Sequence, residues 1–197
     1  MNATSEATLE RLSSALNFQT WEFGRLEKAL DMRRKMRRAP SSTFQRAPVP
    51  DSGPWDGEPD KVQWVDPVTD FDCLVLRNHM GSWCGYVGLP PGHSLHGKDY
   101  EKADVEVHGG LTFASFCDPD EGDDKICHVP APGRPDEVWW LGFDCAHYMD
   151  LTPGMISFIN EPSATYRDLE YVVNEVEQLA LQLKSARAVV NYRDSDL

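Results

Sequence analysis

The segment 166–184 constrains this chain more than any other part of it. Leu169, Val172, Val173, Val176, Leu179, Ala180 and Leu183 recur at spacings of three and four and form one continuous apolar stripe. That period predicts a helix with one face against a core. Thr165 is placed to cap it, with Asp168 three residues on completing a weak capping box. A stripe this long needs a matching apolar surface elsewhere in the chain.

Strand-like segments supply that surface. Residues 71–77 and 83–89 read as a hairpin around a turn at 78–82. A third strand is expected over 105–113, broken by Gly109 and Gly110, and a fourth over 138–145 with Trp139 and Trp140 adjacent. Loops join them at 90–100 and 116–137. Strands followed by one long amphipathic helix predict an α+β fold. The expected form is an antiparallel sheet of about four strands with the helix across one face.

Upstream, Leu9, Leu12 and Leu16, then Phe23, Leu26 and Leu30, predict an N-terminal helical hairpin over 1–38, with Thr20 as the second N-cap. Its last turn holds Arg33, Arg34, Lys35, Arg37 and Arg38. Cations there suit the helix dipole, or contact nucleic acid or an acidic partner. So short a unit makes a poor core alone, so it packs on the body or on a second copy. Pro40, Pro48, Pro50 and Pro54 make 39–61 a linker or arm, the main domain spans 62–190, and 191–197 is expected to fray.

The net charge of −13 divides unevenly: residues 1–50 carry +4 and residues 51–197 carry −17. The acidic body repels nucleic acid and anionic lipid and leaves a basic protein surface as a possible partner. No stretch approaches the roughly 18–20 apolar residues that a membrane span needs. The polar start predicts no secretory signal, and five irregularly spaced cysteines predict free thiols in a reducing, cytoplasmic compartment.

Three segments concentrate chemistry: Cys84-Gly85-Tyr86-Val87-Gly88 running on to Tyr100; His108-Gly109-Gly110-Leu111-Thr112; and Trp139-Trp140-Leu141-Gly142-Phe143-Asp144-Cys145-Ala146-His147, followed by Asp150. Together with Tyr166-Arg167-Asp168, they resemble a family of uncharacterised proteins of bacteriophages and prophage-bearing bacteria, over roughly residues 54–184. The resemblance implies a phage or mobile-element origin, with the host cytoplasm as its setting, and no particular reaction.

On an extended strand Trp140, Gly142 and Asp144 share one face, and Trp139, Leu141, Phe143 and Cys145 the other. The second face belongs to the core; the first carries an acid beyond a glycine that leaves space. Asp144 would orient His147 if the chain turns after Cys145. The expected site is a polar hollow joining His108, Asp144 and His147, with Tyr86 or Tyr100 as an aromatic wall. As a binding site it comprises Tyr86, Tyr100, His108, Gly109, Gly110, Asp144, His147 and Arg167. Glycines allow close backbone approach, and Arg167 near a helix start favours an anionic or nucleotide-like ligand. With the phage resemblance, a sequestered nucleotide signal of host defence fits this site.

Two other classes stay open. A hydrolase or transferase would use His108, Asp144 and His147 as its acid–base machinery, with Cys145 too buried to serve as nucleophile. An interaction module would dock a host protein through the acidic body or the hairpin. No cofactor and no metal are expected. Cys117, Cys127 and His128 lack a Cys-x-x-Cys pair, and the acidic run from Asp118 to Asp124 lacks EF-hand spacing. Ordinary tight packing would account for any one of these histidines taken alone.

Overall fold

The computed structural model describes residues 53–117, 126–156 and 163–193, with side chains to residue 186. The expected hairpin at 1–38, the basic run at 33–38, the acidic run at 118–124 and the residues beyond 193 lie outside these. Among the described residues five strands form one antiparallel sheet: β1 (Lys61–Val65), β2 (Asp72–Arg77), β3 (Trp83–Leu89), β4 (Phe113–Ser115) and β5 (Trp139–Asp144). Their order is β1-β2-β3-β5-β4, and one long helix, α1 (Leu169–Arg193), packs on β2 and β3.

This corrects the expectation of about four strands. The added strand is β1, whose Lys-Val-Gln-Trp-Val alternates between buried and exposed positions but follows directly on the proline-rich arm. Residues 53–60, read as the end of that arm, pack onto the body: Trp55 is buried edge-on to Tyr166, with ring centroids 5.5 Å apart.

The third expected strand, 105–113, is the second correction. Of it, only Phe113 pairs with β5 in register, while Glu106 and His108 bond to α1 instead. Gln182 accepts the N–H of Glu106 at 2.8 Å and donates its amide to the Glu106 carbonyl at 2.8 Å. Glu175 accepts the N–H of His108 at 2.9 Å. Helix side chains thus satisfy backbone groups that a neighbouring strand would otherwise take.

The stripe of α1 is buried as expected, with Val172, Val176, Leu179, Ala180 and Leu183 fully enclosed. Each such leucine or valine contributes about 1.5–3 kcal/mol. Gly85 permits the contact, since a Cβ there would lie 2.6 Å from both the Phe143 ring and Val176. The helix begins three residues later than expected. Its cap is Asp168, which accepts the N–H of Tyr171 at 2.8 Å. Thr165 instead forms a bridge with Asp150, its N–H going to the Met149 carbonyl.

The other sheet face is covered by segment 126–138. Ile126 and Val138 close an apolar cluster with Leu74, Leu76, Cys84, Tyr86 and Trp140. Gln63 exchanges two hydrogen bonds with the backbone of Val129, at 2.8 and 3.0 Å, and Arg134 bonds Asp70 and Asp72. The expectation of five free thiols is corrected here too. Cys117 and Cys127 are joined in a disulfide, while Cys73, Cys84 and Cys145 are free and buried.

One buried charge pair ties the first and last parts of this body together. The Arg77 guanidinium is fully enclosed, lies 4.2 Å over the Trp83 ring, and pairs with Glu58. Glu58 also accepts from Trp83 Nε1 at 3.3 Å, the Tyr166 hydroxyl at 2.6 Å and the Leu169 N–H at 2.9 Å. The carboxylate therefore satisfies an otherwise orphaned N–H in the first turn of α1, at the end of the dipole that favours negative charge.

Candidate functional site

Three pieces of chain meet beside the start of α1. The first is the turn 107–110, closed by Gly110 N–H to the Val107 carbonyl at 2.9 Å. The second is the turn 147–150, closed by Asp150 N–H to the His147 carbonyl at 3.0 Å. The third is the extended entry to the helix and its first two turns, carrying Arg167, Tyr171 and Glu175.

Asp150 is the centre. Its side chain is 1% exposed and accepts three hydrogen bonds: from His108 Nε2 at 2.7 Å, from Arg167 Nε at 2.8 Å and from the His147 N–H at 3.1 Å.

 Two of these donors meet Oδ2 (His108 and the His147 N–H) and one meets Oδ1 (Arg167). Burial alone would raise this carboxyl, but the bonds from Arg167, His108 and the His147 N–H outweigh burial and hold it below the usual carboxylate range. The bond to Asp150 in turn raises Arg167.

His108 is gripped at both ring nitrogens. Nδ1 lies 2.9 Å from the Tyr171 hydroxyl, opposite the Asp150 contact at Nε2. Burial, followed by the nearby Glu175 charge, raises the Tyr171 phenol, so it stays protonated near neutral pH. The ring of His147 lies 5.6 Å from that of His108, and its Nε2 is 3.7 Å from Asp144 Oδ1, too far for a hydrogen bond. Gly109 makes this approach possible. Its φ of +67° suits glycine, and a Cβ there would lie 1.9 Å from His147 Nε2.

The structure therefore brings His108, His147, Asp144, Gly109, Gly110 and Arg167 into one neighbourhood, but with different pairings from those expected. The acid holding His108 is Asp150. Asp144 leaves the sheet on the face away from α1, level with Cys84, and accepts from Thr112 at 3.0 Å and from the Ala146 N–H at 3.0 Å. Tyr86 does not wall the site. It fills the space beside Gly142, where a Cβ would meet its ring at 2.3 Å, and stacks edge-on with Phe113. Tyr100 sits on a short 3-10 turn, Tyr100–Lys102, and no described contact ties it to the histidines. Cys145 is buried, and burial raises its thiol, which removes it as a nucleophile.

Sequence reasoning missed Tyr171 and Glu175, and noted Asp150 only as following the third segment, with no role given to it. Arg167, Tyr171 and Glu175 recur every four residues along the border of the apolar stripe, a polar row that marks one helix edge facing a neighbour. Among the described residues no group of three or more His, Cys, Asp or Glu side chains is arranged to hold a metal ion. No described helix is long and apolar enough to cross a membrane.

Two further features face solvent. Tyr148 is 90% exposed on the 147–150 turn, and Met149 beside it adopts a φ of +72°. A non-glycine residue there is strained, and such strain persists only where its surroundings impose it. Arg167 engages Asp150 through Nε alone. Its guanidinium lies 4.9 Å over the Tyr171 ring, and its two terminal nitrogens make no hydrogen bond among the described residues. No family model, no curated protein and no solved structure matches this chain.

Proposed function

We propose that this protein binds, without converting it, a small ligand bearing an anionic or nucleotide-like group at Arg167 and the turn that carries Tyr148. The observation that carries this reading is the state of Arg167. Asp150 fixes Nε and Tyr171 underlies the guanidinium, so a planar pair of N–H donors is oriented in advance and meets no hydrogen-bond partner among the described residues. That is the arrangement suited to a bidentate phosphate or carboxylate contact. Tyr148, on the turn that ends at Asp150, offers an aromatic face for a base.

Acidic groups of the body that lie beyond about 8 Å oppose a bound anion only weakly. Hydrogen bonds to a charged group contribute about 1.5–3 kcal/mol each, whereas exposed charges beyond about 8 Å are largely screened at physiological salt. Binding without turnover is supported by His108, whose two ring nitrogens are both engaged, leaving neither free as a general base. The resemblance to phage proteins extends the proposal to a host defence nucleotide that is sequestered.

Native mass spectrometry and isothermal titration against mono-, di- and cyclic nucleotides test the reading. At least one member should bind one-to-one, intact after incubation, and Arg167→Ala should weaken it at least about tenfold, the loss of roughly one charged hydrogen bond. Failure of every member to bind, or unchanged affinity in a folded Arg167→Ala protein, would overturn it.

A further inference from the structure

We infer that the Cys117–Cys127 disulfide is a reversible redox latch that fixes edge strand β4 to the segment covering the outer sheet face. The two cysteines differ from the other three in accessibility. Both are half-buried, whereas Cys73, Cys84 and Cys145 are enclosed. Burial pushes the Cys84 thiol up to about 12 and raises those of Cys73 and Cys145, so thiolate chemistry is suppressed at all three. Exchange is thus directed to the one accessible pair.

The position of the bond gives it leverage. Cys117 lies two residues beyond β4, a strand of three residues that among the described residues pairs only with β5. Cys127 follows Ile126, which seals the apolar cluster over Tyr86 and Trp140. At the other end of β4, the Thr112 N–H bonds the Gly142 carbonyl at 2.9 Å and its hydroxyl bonds Asp144. A dithiol reductant would give up two electrons and two protons, becoming a cyclic disulfide as Cys117 and Cys127 become thiols. The loop constraint is then lost, β4 is held by its short ladder and the Thr112 bonds, and the mobility of its residues rises. The latch is independent of which ligand, if any, binds at Arg167.

The test uses the full chain purified without reductant. Alkylation after unfolding should modify three cysteines before reduction and all five after it. Five modified beforehand would overturn the latch. The folded protein is then equilibrated in glutathione and dithiothreitol buffers at neutral pH. A measurable two-electron midpoint with recovery on reoxidation supports the proposal, whereas reduction only after unfolding marks a purely structural bond and overturns it. Finally, amide hydrogen exchange is compared between oxidised and reduced protein. Exchange at 112–117 and 126–130 should quicken by about tenfold or more on reduction, and unchanged exchange would overturn the idea. The Cys117→Ser/Cys127→Ser double variant should match the reduced form; if it does not fold, the reduced native chain still decides.

Discussion

His147 lies so close to Gly109 that a side chain of even one carbon at residue 109 would sit 1.9 Å from its Nε2. Gly109→Ala must therefore displace the imidazole or open the 107–110 turn, and must also hold alanine at a positive φ. The two effects together should destabilise the protein by about 2–4 kcal/mol. Urea unfolding with an unchanged slope would report it. A loss below about 0.5 kcal/mol would show that the two turns do not constrain one another.

Asp150→Asn tests the centre of the cluster. The buried carboxylate is lost while the shape is kept, leaving Arg167 and His108 with a weaker acceptor, at a cost of about 2–4 kcal/mol at neutral pH. The pH dependence has a definite sign. Asp150 titrates below its ordinary value of 3.8 in the folded state, so its stabilisation is complete above that value and is lost as pH falls through the folded one. Thermal melts of the native chain should fall more steeply below about pH 4 than those of Asp150→Asn. Parallel curves would contradict this assignment.

Glu58→Ala removes the partner of an enclosed guanidinium and the acceptor of the Leu169 N–H together. Breaking a buried pair on one side costs about 3–5 kcal/mol, with Asp60, 3.8 Å from Arg77 Nε, offsetting part of it. Calorimetry should show a markedly lower melting temperature. A shift of only a degree or two would mean that Asp60 takes over the pairing.

Tyr148→Ala separates binding from folding. At 90% exposure the ring contributes little to the core, so stability should stay within about 0.5 kcal/mol. Nucleotide affinity should nevertheless fall about five- to tenfold through lost stacking. Unchanged affinity for a ligand that requires Arg167 would remove Tyr148 from the site while leaving the arginine in it.

Some of this was readable in the residues. β3 occupies its expected span, Trp83–Leu89, and the apolar stripe of α1 is buried as its period requires. β1 was hidden because its alternation is only five residues long and abuts prolines. Residues 105–112 have strand-like composition, but Gln182 and Glu175 satisfy their backbone groups from a distant part of the chain, which local pattern does not record. Asp144 was expected to orient His147, whereas the acid that grips a histidine is Asp150, on His108, because the 147–150 turn folds that carboxylate inward. The disulfide followed no spacing rule, its cysteines lying ten positions apart.

The contact between Glu58 and the Leu169 N–H spans 111 residues. Leu169 must therefore be synthesised before α1 can meet the acceptor waiting for it upstream of β1. Such long-range closure slows folding. It also predicts that truncation at either end of the body would not leave a smaller stable remnant, because each terminus completes the other.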